Sequence, residues 1–203
     1  MEFNAEIRKI VSVEDPIEYQ LTKVNQVQIN AEIGFTFARA LRSLLRHNPN
    51  VIMVGEIRDP ETAKIAIQAA QTGHLVLATL HTNDAVSAVV RLVDMGVEPY
   101  LVSSTLTGVA AQRLVPTICQ DCSGGGCQIC GESGKRGRTA LLEVLDITSD
   151  FRKAISDLKN GADLYAAAKR SGWRSLSERG KEIVDAGLAT EQDVLNATLT
   201  SEA

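Results

Sequence analysis

The sequence predicts an α/β protein with a parallel sheet that carries helices on both faces, followed by a mainly helical C-terminal domain. Short apolar runs alternate with segments of helical period in the first half, as in strands joined by crossover helices. Four cysteines cluster in the second half, and only short helical segments follow them. With 44% hydrophobic and 23% charged residues and a mean hydropathy of −0.01, the chain has the composition of a globular protein.

The first three elements are a strand, a helix and a strand. Residues 10–13 form a short β-branched run. Residues 36–46 repeat apolar side chains at spacings of three and four, which predicts a helix that ends before Asn48-Pro49. Residues 51–54 are wholly apolar, as expected of a strand buried on both faces.

The next elements continue the alternation. Asp59-Pro60 predicts a helix start, because proline is favoured at the first helical position, and Gly73 predicts its end. Residues 75–80 form a third apolar run. Asp84 is expected to cap a helix that reaches about residue 95.

The sequence changes in character near residue 113. Residues 119–137 are rich in glycine and cysteine, residues 138–145 are strand-like, and helices are predicted at 149–159, 163–171, 175–187 and 190–199. We therefore expect two domains, the α/β core over residues 1–112 and the C-terminal domain over residues 113–203.

An acidic residue follows the apolar run at 51–54. Glu56 lies at the carboxyl end of this predicted strand, where α/β sheets bind their ligands. There a carboxylate can orient a water molecule or hold Mg²⁺ against a nucleotide phosphate. The alternative is a solvated glutamate in a turn.

A second acidic cluster follows residues 10–13. Glu14, Asp15 and Glu18 lie close together in sequence and repel one another, which favours a nearby cation or water network. The alternative is a capped turn before Pro16.

Two of the three histidines bracket the third predicted strand. His81, next to Thr79 and Thr82, lies at the end where a phosphate would bind, whereas His74 lies at the other end. Seven residues at about 3.3 Å each put the two histidines roughly 23 Å apart. We expect a functional role for His81 and a structural role for His74.

Together these segments resemble the acidic, Walker B and histidine boxes of the secretion ATPases, the type II secretion and type IV pilus assembly motors (GspE/PilB type) and their retraction relatives. The resemblance implies a RecA-like motor that forms ring hexamers and couples ATP hydrolysis to pseudopilus or pilus assembly. It also implies an inner-membrane platform protein as partner and a cytoplasmic location peripheral to that membrane.

The resemblance also implies roles for single residues. Glu56 would polarise the attacking water, Glu14 and Glu18 would help to arrange Mg²⁺ or that water, and His81 would sense the γ-phosphate of ATP. Further nucleotide contacts would come from Asp15, Arg58, Thr79 and Thr82. Contacts to phosphate or to a neighbouring subunit are hypotheses for Arg39, Arg42 and Arg46, since charges on a helix usually form a solvated face.

One element of the family pattern is not found in these 203 residues. The sequence contains no G-x-x-x-x-G-K-[ST] loop, which supplies the amide cradle and the lysine that bind phosphate. The sequence therefore resembles the C-terminal half of a motor, and we expect this chain alone to hydrolyse ATP poorly.

The four cysteines form two C-x-x-C pairs, Cys119 with Cys122 and Cys127 with Cys130, separated by four residues. Four thiolates suit tetrahedral Zn²⁺, and we expect a structural site because no neighbouring base points to catalysis. An iron–sulfur cluster and free dithiols are the alternatives. The assembly motors carry a tetracysteine zinc insertion here, usually with a longer spacer in type II secretion members, and the retraction motors usually lack it.

Three other functions compete with the motor hypothesis. The glycine-flanked cysteine pairs are similar to the zinc-region repeats of J-domain chaperones, although those normally use four repeats. A helix-turn-helix DNA reader at residues 175–197 is disfavoured because the chain has a net charge of −4 and the segment lacks a basic recognition face. A non-catalytic, zinc-binding interaction module is the most serious alternative.

Two observations bear on location. Residues 1–10 hold Glu2, Glu6, Arg8 and Lys9 and lack the continuous apolar core of a signal peptide. No stretch approaches the roughly 18 apolar residues that span a membrane. We therefore expect a cytoplasmic protein with no direct membrane span and no nucleic-acid partner.

Overall fold

A computed structural model describes residues 8–157 and 161–199. Within these ranges no helix is both long and apolar enough to cross a lipid bilayer. The described residues separate into two compact units. The first unit contains residues 8–82, 88–106 and 155–157, and the second contains residues 83–87, 107–154 and 161–199.

The first unit contains a four-stranded parallel sheet with the strand order β2-β1-β3-β4. Val13 pairs with Val54, and Val54 pairs with Ala78, so that β1, β3 and β4 end at the same edge. Side chains of the central strands β1 and β3 are largely buried, whereas those of the outer strands β2 and β4 are partly exposed. The strands are β1 (Ile10–Glu14), β2 (Val24–Gln28), β3 (Val51–Val54) and β4 (Leu75–Ala78).

Helices follow the strands of this unit. Thr36 and Asp59 cap the first two helices, because their side chains accept hydrogen bonds from Arg39 N and Thr62 N. The first helix packs on β1 and the second on β4, with Leu41 among the fully buried side chains. The helices are α1 (Phe37–Leu45), α2 (Pro60–Gln71), α3 (Ala85–Asp94), whose first three residues group with the second unit, and α4 (Pro99–Thr105).

The second unit is built on an antiparallel ribbon of β5 (Gly108–Ile118) and β6 (Lys135–Asp146). Alternate side chains of β6 are buried, and α7 packs against β6 whereas α8 packs against β5. The resulting core contains Val115, Leu141, Leu176, Ala189 and Val194. The remaining helices are α5 (Ser149–Ser156), α6 (Gly161–Arg170), α7 (Leu176–Asp185) and α8 (Glu191–Leu199).

The predicted strands at residues 10–13 and 51–54 are confirmed, as are the three helices predicted between residues 36 and 95, and the strand predicted at residues 75–80 is present over residues 75–78. The sequence analysis did not predict β2, α4 and β5. Beyond residue 113 it expected one strand among helices, whereas two long strands, β5 and β6, form the ribbon. The strand β5 was missed because its polar and small residues hide the alternation of apolar and polar side chains.

The proposed boundary after residue 112 falls within β5 and stays a prediction. The end of the helix predicted at 149–159 lies outside the described residues.

Candidate functional site

Glu56 lies two residues beyond β3, at the edge where the central strands end. Gly55 donates its amide hydrogen to the carbonyl of Val13 at 2.8 Å, which holds the turn against β1. A Cβ at Gly55 would lie 3.1 Å from that oxygen and 3.3 Å from Glu14 Cα. Glycine therefore permits the close approach that brings Glu56 to this edge.

The Glu56 carboxylate contacts two basic side chains. Its Oε2 atom lies 2.5 Å from Arg58 Nε and 3.0 Å from His81 Nε2. The Glu56 side chain is 12% exposed, whereas those of Arg58 and His81 are 67% and 78% exposed. Burial raises the pKa of Glu56, but hydrogen bonds and charges from His81 and Arg58 outweigh it, so that the pKa lies below its usual value.

Thr79 fixes the ends of β3 and β4 to each other. Its hydroxyl donates to the carbonyl of Gly55, and its own carbonyl accepts a hydrogen bond from Ile57 N at 2.9 Å. Gly55 and Ile57 flank Glu56 in sequence, so these two bonds hold Glu56 next to the segment that leads from Thr79 to His81. The hydroxyl of Thr79 is thus engaged with backbone, while Thr82 is half-buried directly after His81.

Of the three acidic residues after β1, one is hydrogen-bonded to neighbouring side chains and two are exposed. Glu14 Oε1 accepts hydrogen bonds from Ser12 Oγ at 2.5 Å and from Gln26 Nε2 at 2.9 Å. Asp15 and Glu18 are exposed in the following loop. Glu14 thus has a fixed position on the sheet edge, and the sequence analysis missed its partner Gln26 because it had not predicted β2.

The strand ends therefore present an ionised, partly buried carboxylate beside the exposed side chains of Arg58 and His81. Such a carboxylate can accept a proton or a hydrogen bond from water, and the two nitrogen-bearing side chains can donate hydrogen bonds to an anion. Oxygen donors such as Glu56 and Glu14 also suit Mg²⁺. The donor set thus fits both a nucleotide phosphate and its metal ion.

Other predicted residues have partners of their own. Arg42 forms an exposed ion pair with Glu61 at 2.5 Å, and Arg39 donates to the carbonyl of Gly34 at 3.4 Å. Arg46 is exposed. His74 Nδ1 lies 2.9 Å from the carbonyl of Ala69, a contact that supports the structural role expected for it.

The four cysteines form one cluster in the loop between β5 and β6. Their Sγ atoms all lie within 4.8 Å of one another, with 3.8 Å between Cys122 and Cys130 and 3.7 Å between Cys127 and Cys130. Zn–S bonds of about 2.3 Å in a tetrahedron separate the sulfurs by about 3.8 Å. The cluster therefore has the dimensions of a four-thiolate zinc site.

The pKa values of the cysteine thiols differ within the cluster, so that some lose their protons more readily than others. Burial raises the pKa of Cys119 to about 11. Burial also acts to raise the pKa of Cys130, but hydrogen bonds from the backbone of Cys127 and Gly134 outweigh it and lower that pKa to about 6. A metal ion that binds all four sulfurs must therefore displace protons.

Three more side chains with polar contacts were not predicted as functional. Glu143 is fully buried in β6, Arg113 donates to the carbonyl of Asn83, and Tyr165 donates to Asp84. Most of their partners are backbone atoms distant in sequence, which leave no local pattern. The only local signal was that Glu143 is itself a glutamate among the apolar, buried positions of β6.

A parallel sheet joined by helices, with a carboxylate and a histidine at its strand ends, defines an α/β protein of the kind that binds its ligands at this edge. Residues 2–196 match the family model described as "Type II/IV secretion system protein". The chain belongs to this family.

Two similar proteins with assigned roles are more than twice as long as this chain. The chain is 49% identical to the type II secretion system protein HxcR of Pseudomonas aeruginosa and covers 43% of it, with 96% of the chain aligned. It is 43% identical to the type IV pilus assembly ATPase PilB of Thermus thermophilus and covers 24% of it, with 93% aligned.

Among solved structures, the pilus retraction motor PilT with bound ADP matches with a TM-score of 0.77 and 32% identity. The match covers 96% of this chain and 53% of that one. The chain thus spans about half or less of the length of these relatives.

Proposed function

We propose that this chain forms the catalytic-carboxylate half of an ATPase that drives type II secretion or type IV pilus assembly. The observation that carries the proposal is the contact of Glu56 with both His81 and Arg58 at the carboxyl ends of the parallel strands. Family membership and the names of HxcR and PilB support it.

In this proposal Glu56 is the general base. Its lowered pKa keeps it ionised at neutral pH, so that it can take a hydrogen bond from the attacking water and orient it. Exposed His81 and Arg58 can contact the phosphate and compensate developing negative charge.

Glu14, with Asp15 and Glu18, would hold Mg²⁺ or its waters, and that ion would neutralise charge on the phosphates. Thr79 and Thr82 would shape the nucleotide site beside them.

The phosphate loop is not among the 203 residues, so the test needs a longer protein. We would replace the matching residues of HxcR with this chain and measure ATP turnover of the chimera. Glu56→Gln keeps the shape of the side chain and removes its charge, and we expect turnover to fall by about 10²-fold or more.

Glu61→Gln is the matched control for that variant. Glu61 is an exposed glutamate of the same unit with an arginine partner, Arg42. Its variant should retain turnover within about twofold, because a surface ion pair contributes about 0–1 kcal/mol to stability and does not touch the strand ends. Equal turnover in both variants would overturn the role given to Glu56.

We further propose that the intact protein works as a ring hexamer on the cytoplasmic side of the inner membrane, in contact with a platform protein. Family membership and the secretion and pilus roles of its relatives support this. Analytical ultracentrifugation of the chimera with ATP tests the assembly, for which a mass of six chains is expected and a monomer would contradict it.

The second candidate is a non-catalytic module that binds zinc. The sulfur–sulfur distances near 3.8 Å favour it as a further property of the same chain. Metal analysis should give one zinc per chain, lost in Cys127→Ser and retained in Gln128→Ser, whose parent side chain is exposed in the same loop. Zinc without hydrolysis in the chimera would leave only this module.

A further inference from the structure

The side-chain amide of Gln26 joins Glu14 to the loop that follows it, and all of these residues belong to the first compact unit. The Nε2 atom of Gln26 donates to Glu14 Oε1 at 2.9 Å and to the carbonyl of Tyr19 at 3.0 Å. Its Oε1 atom accepts from Leu21 N at 2.6 Å. A glutamine amide offers two donor hydrogens and one acceptor oxygen. Each of these groups of Gln26 is therefore engaged, and each with a different partner.

The register of the sheet explains why Gln26 reaches Glu14. Gln26 pairs with Ser12 across the parallel strands β1 and β2, and Glu14 follows Ser12 by two residues. Residues two apart in a strand, and residues paired across neighbouring strands, present their side chains on the same face of a sheet. Ser12 Oγ donates to the same oxygen, Glu14 Oε1, at 2.5 Å. Ser12 and Gln26 thus hold one oxygen of this carboxylate from two strands.

The other oxygen of Glu14 is left for a ligand. Both hydrogen bonds that the Glu14 carboxylate makes within the described residues end on Oε1, so that Oε2 can take a metal ion or a water molecule. Carboxylates that bind metal ions are commonly held by hydrogen bonds from neighbouring residues. Loss of such a neighbour typically weakens metal binding by about 10- to 100-fold.

We propose that Gln26 is a positioning residue: by holding Glu14 Oε1 it fixes the orientation in which Glu14 meets Mg²⁺ or its waters. The inference rests on the proposed function for the role of Glu14 toward Mg²⁺. An amide suits this task because it donates to a carboxylate and to a carbonyl at once. A lysine or arginine at position 26 would also donate, but its charge would oppose the cation that Glu14 attracts.

The first test measures the orientation of Glu14 and needs neither nucleotide nor metal ion. Gln26→Met in this chain of 203 residues keeps an unbranched side chain and removes all three hydrogen bonds. We expect the ¹³C NMR resonance of the Glu14 carboxylate, assigned with Glu14→Gln, to shift at neutral pH. Hydrogen exchange of the Leu21 amide should rise about tenfold, because this amide loses its acceptor.

Gln28→Met is the matched control. Gln28 lies in the same strand and holds the same loop, since its Oε1 accepts from Ile17 N at 3.3 Å. Within the described residues it has no hydrogen bond to the Glu14 carboxylate. Its variant should loosen the loop at Ile17 and leave the Glu14 resonance in place. An unchanged Glu14 resonance in folded Gln26→Met, or an equal shift in both variants, would overturn the proposal.

Gln26→Asn keeps the test decisive if Gln26→Met does not fold. It retains a polar amide at this half-buried position but withdraws it from Glu14 by one methylene, about 1.5 Å. The Glu14 resonance should therefore shift in this variant as well. A Glu14 resonance that stays in place when the amide is withdrawn would contradict the proposal.

The second test measures the consequence for the metal ion in the HxcR chimera with ADP bound. Mn²⁺ serves as a paramagnetic substitute for Mg²⁺, and EPR spectroscopy gives its concentration at half saturation. We expect that concentration to rise about tenfold in Gln26→Met and to stay within about twofold in Gln28→Met. Mn²⁺ binding weakened by Glu14→Gln but not by Gln26→Met would overturn the proposal alone. Binding unchanged in Glu14→Gln would overturn the metal role of Glu14, on which the proposal rests.

Discussion

The Glu56–His81 site and the cysteine cluster are assembled in different ways. All four cysteines lie within one loop, between positions 119 and 130, and their spacing in sequence already indicates their proximity. Glu56 and His81 are 25 residues apart and meet because β3 and β4 are parallel neighbours in a fixed register. A local cluster therefore depends on the conformation of its loop, whereas the Glu56–His81 pair depends on the sheet.

The largest expected effect is on the local cluster. Gly134 has φ +69°, and a Cβ there would lie 2.3 Å from the carbonyl oxygen of Gly124 across the loop. Gly134→Ala should destabilise the zinc-loaded chain by about 3 kcal/mol or more, since both strain and overlap oppose it. Urea unfolding and zinc analysis measure the change.

Gly131→Ala is the control for that prediction. Gly131 also has a positive φ, +59°, but a Cβ there would meet nothing within 4 Å. Its variant should lose only about 1 kcal/mol and keep its zinc. Equal losses in the two variants would show that the close approach of Gly134 to Gly124 does not hold the cluster together.

An intermediate effect is expected where the sheet assembles the Glu56–His81 pair. Thr79→Val removes the hydroxyl that donates to the carbonyl of Gly55 and should cost about 1 kcal/mol. Because Thr79 links the ends of β3 and β4, the imidazole NMR resonances of His81, assigned with His81→Gln, should shift as well. Thr72→Val removes a hydroxyl from the end of α2 at similar cost and should leave those resonances in place.

A smaller effect is expected from pH. The folded pKa of Glu56 lies below its ordinary value of 4.5, so its ion pairs stabilise the fold above pH 4.5 and lose their effect as pH falls through the folded pKa. The stability difference between the wild type and Glu56→Gln should be at most about 1 kcal/mol at pH 7. It should shrink toward acid pH, as measured by exchange of β3 amides, and a difference that grows instead would show that Glu56 is not ionised through these partners.

Most of the sheet could be predicted from sequence. The buried strands β1 and β3 and the capped helices α1 and α2 carry strong local signals, namely continuous apolar runs, Thr36 and Asp59-Pro60. The strand β2 could not be predicted, because its polar sequence is a strand only through its pairing with β1. Likewise β5 becomes recognisable only through its partner β6, with Gly108 opposite Asp146.

The candidate sites follow the same rule. The cysteines were found from their spacing, and Glu56 and His81 from their places at strand ends. The partners of Glu143 could not be found, because they are backbone amides 58 and 33 residues away. Almost every residue type carries the same backbone amide, so the residue at the partner position gives no sign of such an interaction.

The most direct test compares ATP turnover of the chimera with that of intact HxcR under the same conditions, after both are shown to be folded and the chimera to be zinc-loaded. Our account predicts turnover within about tenfold of HxcR, since the Glu56 site at the strand ends is then complete. A folded, zinc-loaded chimera that binds ATP without hydrolysing it would contradict the claim that this chain supplies the catalytic carboxylate.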